Sequence, residues 1–161
     1  QTRNKRIGVV GTRATIDSKA YEQTIQRLDP TIKVFSHSCP LFVPLVEEGW
    51  LNGSVAGVVA QQYLEPLQQQ QIDTLVLGCT HYPLLAPTIA QVMGEGVTLV
   101  DSAKQTVAEV RGVLLGMDQL SNGHAQPRYR FFVTDEPSHF VHVGERFLER
   151  PIRSVERVTS R

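Results

Sequence analysis

The 161-residue sequence is poor in cysteine, methionine and tryptophan, with two, two and one respectively, and it carries no formal net charge. Two cysteines, Cys39 and Cys79, are too few for the disulfide framework of a secreted protein of this size. Reduced thiols fit the cytoplasm, which is the default compartment. Sixteen basic against sixteen acidic side chains leave no global field to draw the chain to nucleic acid or to an anionic membrane, so the expected ligand is a small molecule. No apolar run approaches the roughly 20 residues that span a bilayer, and no apolar signal core follows the basic start. The sequence also lacks an initiator methionine. It opens on Gln1-Thr2-Arg3-Asn4-Lys5 and runs almost at once into a strand-like segment, as expected for a piece of a longer chain. Gly8 and Gly11 do not form a GxGxxG phosphate loop, which argues against a nucleotide site.

What is present is an ordinary globular composition, 41% hydrophobic and 20% charged, sufficient to bury a core. RIGVVG, residues 6–11, is a short apolar run closed by glycine, the pattern of a parallel strand buried on both faces. Asp17 or Ser18 is placed to cap a helix carrying Tyr21, Ile25 and Leu28, which Asp29-Pro30 stops. A second strand fits 32–37, and an irregular apolar stretch runs from Cys39-Pro40 to Gly49. Ser54 is expected to cap a longer helix with Val55, Val58, Val59 and Leu64, frayed by Pro66 and the solvated glutamines 68–71. Residues 74–78 read as a third strand, with a helix after Pro83 to about Met93. A fourth strand at 97–100 precedes a helix with Val107, Val110, Val113 and Leu114 on one face, ending at Gly116. After the loop at Ser121-Asn122-Gly123 come a strand at 130–134, a helix at 136–150 and a weak strand at 155–158. Alternating strands and helices predict an α/β protein with parallel sheets.

In such sheets ligands bind beyond the carboxyl ends of the strands. Cys79, Thr80 and His81 fall there, in LVLGCTHYPLL. A thiol at a helix start feels the positive end of the helix dipole, which favours its thiolate. The neighbouring amides and the Thr80 hydroxyl suit a substrate carboxylate, and the His81 imidazole suits proton exchange. The residues leave two readings of Cys79 open, a working acid/base group or a buried thiol, and two of His81, a functional imidazole or a capping one. Structural zinc takes four ligands at characteristic spacings, and no Cys-x-x-Cys is present, so no metal is expected. A Cys-His hydrolase would need an oxyanion hole and an orienting third group that the sequence does not identify, and it ranks below proton transfer.

Cys39 sits between a strand and an apolar loop and is expected to pack. Of the pair Glu47-Glu48, one carboxylate is expected to point inward, where it would orient His81, and one to solvent. His37, His124, His139 and His142 show no partner spacing and read as surface or core residues.

Five segments taken in order, IGVVGTRATIDSKAY, SCPLFVPLVEEGW, LVLGCTHYPLL, VTLVDSA and FFVTDEPSHF, resemble the cofactor-independent glutamate racemases of the aspartate/glutamate racemase superfamily. The resemblance spans nearly the whole chain. It implies two similar α/β domains facing one another across a buried site, no cofactor, and a two-base mechanism in which one cysteine removes the α-proton of glutamate and another returns a proton to the opposite face. By this resemblance Cys79 is the second of those cysteines, Thr80 and His81 bind substrate, and His81 and Glu47 assist the thiol. It further implies glutamate as the substrate, D-glutamate for peptidoglycan as the product, and a homodimer at full length. On the family's plan residues 1–101 form the second domain, and 102–161 are the returning segment of a first domain that is otherwise missing. The family's first cysteine, in a Cys-Asn-Thr motif, has no counterpart, and Cys39 does not match it, so the chain alone is expected to be inactive. An aspartate or hydantoin racemase, or a non-catalytic module binding an acidic amino acid or a partner protein, are the alternatives.

Overall fold

The computed structural model describes residues 2–123 and 126–159, so His124 lies outside the described residues. In chain order the elements are β1 Arg6–Gly11, α1 Arg13–Asp17, α2 Ala20–Leu28, β2 Lys33–Ser38, α3 Phe42–Glu47, α4 Ser54–Gln68 and β3 Thr74–Leu77. A 3-10 turn at Tyr82–Leu85 leads into α5 Ala86–Met93, followed by β4 Thr98–Asp101, α6 Ser102–Gly116, β5 Phe131–Val133, α7 Pro137–Leu148 and β6 Val155–Arg157. Two compact units result, Gln1–Val113 and Leu114–Arg161, dividing within α6.

The first unit is built on a four-stranded, all-parallel sheet of order β2-β1-β3-β4. β1 lies between two partners, and Val9 and Val10 are fully buried, as its unbroken apolar run requires. On the face that Val10 shares with Leu75 and Leu77, the core gathers Phe42, Val46, Ala60, Leu64, Tyr82, Leu85 and Ile89 from α3, α4 and the segment after β3. Cβ atoms added at Gly11 and Gly78 would meet Thr15 and Tyr21, which places α1 and α2 against the other face.

Three local expectations change. A short α1 precedes the expected helix: the Thr12 hydroxyl caps it by accepting from the Thr15 amide and Asp17 is its last residue, while the Ser18 hydroxyl accepts from the Ala20 amide at 3.3 Å where α2 starts. Lys19 at φ 55° then breaks the ladder before α2 begins at Ala20. The apolar stretch after Cys39 is helical, because Pro44 falls in the first turn of α3, where an amide hydrogen has no intrahelical partner to lose. In α4 the N-cap is Gly53 at φ 93°, Ser54 being the first helical residue, and Val55 and Val58 face outward. Of the expected set Leu64 is fully buried and Val59 packs against the core, and Ala56, Ala60 and Leu67 complete the buried face.

In the second unit β5 and β6 pair in parallel, with α7 between them in sequence. Phe131 packs on Phe140 at 5.8 Å, and the Ile152 amide donates to Glu145 at 2.9 Å. A Cβ at Gly144 would press on Ile152, so the absence of a side chain there lets the returning chain lie against α7. α6 has no buried residue; Val107, Val110 and Val113 are exposed. No helix of the described residues is long and apolar enough to cross a membrane.

Asp73 anchors the entry to the first unit. Its carboxylate accepts from the Thr2 hydroxyl at 2.7 Å, the Arg3 and Asn4 amides at 2.6 and 2.8 Å and the Thr74 hydroxyl at 2.9 Å. Burial alone would raise this carboxyl, but the four donors outweigh it and hold the group well below the ordinary carboxylate range. A lowered folded-state pKa means that the contribution is complete above the unfolded value of about 4 and is lost as pH falls below it. Asp73→Ala is therefore expected to lower the unfolding free energy by about 1–3 kcal/mol at neutral pH, the gap to the native chain narrowing toward pH 3 in urea titrations at the two pH values.

Candidate active site

The connection from β1 runs to β2 on one side, while β3 lies on the other, so the strand order switches between β1 and β3. Crevices beyond the carboxyl ends of strands at such a switch are where open α/β sheets bind ligands. Gly78 and Cys79 leave β3 there. The Gly78 amide donates to the Val10 carbonyl at 2.7 Å, and a Cβ at Gly78 would stand 2.8 Å from that same oxygen, so glycine is required for the strand to close against β1. Continuing the β1–β3 register beyond Val10↔Leu77 sets Thr12 opposite Cys79.

Cys79 is a free, half-buried thiol at the edge of the core cluster. It does not stand at the start of an α-helix: the 3-10 turn begins three residues later and α5 only at Ala86. The helix start that the sequence suggested at this thiol therefore lies further along the chain.

His81 lies two residues beyond. Its Nε2 is 3.4 Å from Oε1 of Glu47, the last residue of α3, and its Nδ1 is 3.3 Å from the Thr80 hydroxyl. An imidazole carrying its proton on Nε2 satisfies both contacts, donating to the carboxylate and accepting from the hydroxyl. Both partners of this contact are part-exposed, His81 by 25% and Glu47 by 34%, so the pair is reachable by solute. Glu48 is exposed, giving the inward and outward division expected of the two carboxylates. The structure thus brings Glu47, Thr80 and His81 together beside the Cys79 backbone.

The second cysteine is sealed. Cys39 has no exposed surface, its thiol points at the His37 carbonyl at 3.8 Å, and burial pushes it up to about 12. Of the other histidines, His37 lies against Tyr63 at 6.0 Å and His142 meets Arg146 at 2.8 Å. Among the described residues no group of three or more His, Cys, Asp or Glu is placed to hold a metal ion.

Sequence reasoning missed Tyr82. Its ring is fully buried, its hydroxyl donates to the Cys39 carbonyl at 2.9 Å, and its edge meets Phe42 at 5.1 Å and 86°. Burial first, then the neighbouring thiols of Cys39 and Cys79, push this phenol far above its ordinary value, so it stays a neutral donor. A tyrosine inside an apolar run was the available signal, because a buried phenol needs an acceptor.

The Asp/Glu/Hydantoin racemase family model matches residues 1–110. The glutamate racemase of Syntrophus aciditrophicus is 50% identical over 159 residues, covering 98% of this chain and 58% of the relative. That of Geobacter metallireducens is 46% identical over 158 residues, with 98% and 58% covered. Among solved structures, glutamate racemase from Francisella tularensis in complex with D-glutamate superposes with a TM-score of 0.86 at 39% identity, over 96% of this chain and 58% of that one. A Bacillus anthracis glutamate racemase isoform gives 0.87 at 41% identity, over 98% and 58%. The chain spans 58% of the length of each of these relatives.

Exposure separates the two thiols. Brief treatment of the folded chain with a maleimide is expected to modify Cys79 and leave Cys39 unmodified, both reacting in denaturant, as read by peptide mass spectrometry.

Proposed function

Since the chain belongs to the Asp/Glu/Hydantoin racemase family, we propose that it forms one side of a glutamate racemase active site, with Cys79 as one of two acid/base thiols. The observation that carries this reading is the free, half-buried Cys79 at the sheet's switch point, next to the Thr80–His81–Glu47 contacts. The glutamate racemases at 46–50% identity favour glutamate over aspartate or a hydantoin as the substrate.

The chemistry follows from the acid to be broken. An α-C–H is a very weak acid, so its removal requires a base held against the carbon, little competing water and donors that stabilise charge developing on the α-carboxylate. In one direction the Cys79 thiolate takes the α-proton and becomes the thiol, while the electron pair moves into the carboxylate. A second thiol then delivers its own proton to the opposite face and is left as the thiolate; the reverse turnover restores both. Thr80 holds the substrate carboxylate through its amide and, once its hydroxyl turns from His81 Nδ1, through that hydroxyl. His81, oriented by Glu47, exchanges protons with Cys79 and balances its charge. No metal or cofactor enters these steps.

Cys39 has no solvent-exposed surface and does not serve as the second thiol. That group comes from the part of the racemase fold that this chain does not span. On this plan residues 1–101 are the second racemase domain and 102–161 the returning segment of the first. The complete protein is a cytoplasmic homodimer that supplies D-glutamate for peptidoglycan.

The test is α-proton exchange. Incubated in deuterium oxide with L-glutamate, the chain alone is expected to leave both the optical rotation and the α-proton unchanged; racemisation by the chain alone overturns the two-thiol assignment. Joined to the part of the fold it does not span, it should exchange and racemise glutamate. Cys79→Ala should then lower that rate at least about a hundredfold in both directions. Unchanged turnover in that variant removes Cys79 from the mechanism, and turnover of aspartate or a hydantoin in place of glutamate reassigns the substrate.

A further inference from the structure

Glu47 and His81 belong to segments that no strand ladder joins: Glu47 ends α3, and His81 lies in the turn after β3. Tyr82 is the joint between them. Its hydroxyl is bonded to the Cys39 carbonyl, three residues before α3, and its ring edge rests on Phe42, the first residue of α3. Phe42 also meets Tyr63 edge-on at 5.4 Å, whose hydroxyl accepts from the Leu41 amide at 3.4 Å. The start of α3 is therefore fixed through backbone and side chain alike. The helix carries that position rigidly to Glu47, about 7.5 Å along its axis. Because His81 directly precedes Tyr82, the same buried ring also fixes where the imidazole backbone sits.

We propose that Tyr82 is the positioning residue of the candidate site, its bond to the Cys39 carbonyl and its contact with Phe42 setting the distance at which Glu47 meets His81. Tyr82 touches no substrate; it acts through α3. The functional meaning of this role rests on the racemase reading, whereas its test does not. The Cys39 carbonyl also accepts from the Phe42 amide at 3.1 Å, so removing the Tyr82 hydroxyl leaves it one donor short and unties the turn after β3 from the entrance of α3.

The experiment reads the His81 ring directly. In the nitrogen-15-labelled chain without glutamate, long-range proton–nitrogen spectra resolve the imidazole nitrogens, with His81→Gln identifying the His81 signals. Glu47→Gln gives the Nε2 signal of an imidazole deprived of its carboxylate. Tyr82→Phe is expected to move Nε2 most of the way toward that position and to shift the pH profile of the signal with it. Phe42→Leu, which retains the hydroxyl bond, should move it in the same direction and serves if Tyr82→Phe does not fold. Ile7→Val, a buried variant in β1 outside the cluster that holds Tyr82, should leave it in place. A wild-type Nε2 signal in folded Tyr82→Phe overturns the proposal. So does an Ile7→Val signal displaced as far, or a Glu47→Gln signal that coincides with wild type. Since no glutamate is present, failure of the racemase reading would show in the exchange experiment and not here.

Discussion

The constraint on which the first unit depends is the burial of β1. Its side chains are apolar on both faces, and a main chain taken out of water must find a partner for every amide and carbonyl. Only strands on both sides provide them, and β2 and β3 do so in parallel. Placing β1 at the centre in turn creates the switch in strand order, and with it the crevice beyond Gly11 and Gly78. The site's location is a consequence of hydrogen-bond accounting in the middle of the sheet.

A second buried donor sets the detail. The Tyr82 hydroxyl lies within an apolar cluster, where it would be costly unpaired, and the Cys39 carbonyl, which also accepts from the Phe42 amide, satisfies it. Their bond ties the turn after β3 to the entrance of α3. Two segments far apart in sequence thereby deliver an imidazole and a carboxylate to one place. Cys39 contributes here through its carbonyl, and its thiol is made inert by the same burial. The two cysteines of the chain have opposite fates because one lies within the core and the other just beyond the carboxyl end of β3.

Much of the framework was legible in the residues. β1 was predicted with the bounds observed, and β2, β3 and β4 within about a residue, because apolar runs punctuated by glycine or aspartate have few other solutions. Helices were harder. The break at Lys19 requires a left-handed residue that its type does not announce, and the helical start of α3 hides behind a proline. In α4 the large apolar residues singled out divide, Val59 and Leu64 lying against the core and Val55 and Val58 facing out, while Ala56 and Ala60 complete the contact. Of the site, the Gly-Cys-Thr-His run and the inward Glu47 were visible, and the clamp at Tyr82 was not.

By itself the sequence determined the order of elements, the parallel sheet and the short list of residues able to exchange protons, because hydrophobic periodicity and residue chemistry are local properties. Only the tertiary structure decided which of two thiols is accessible, that Glu47 and not Glu48 meets His81, and that Cys79 precedes a 3-10 turn and not an α-helix. Those outcomes depend on what lies across the core from each residue. Strand order and the pairing of buried polar groups set that, and neither is written in any one segment.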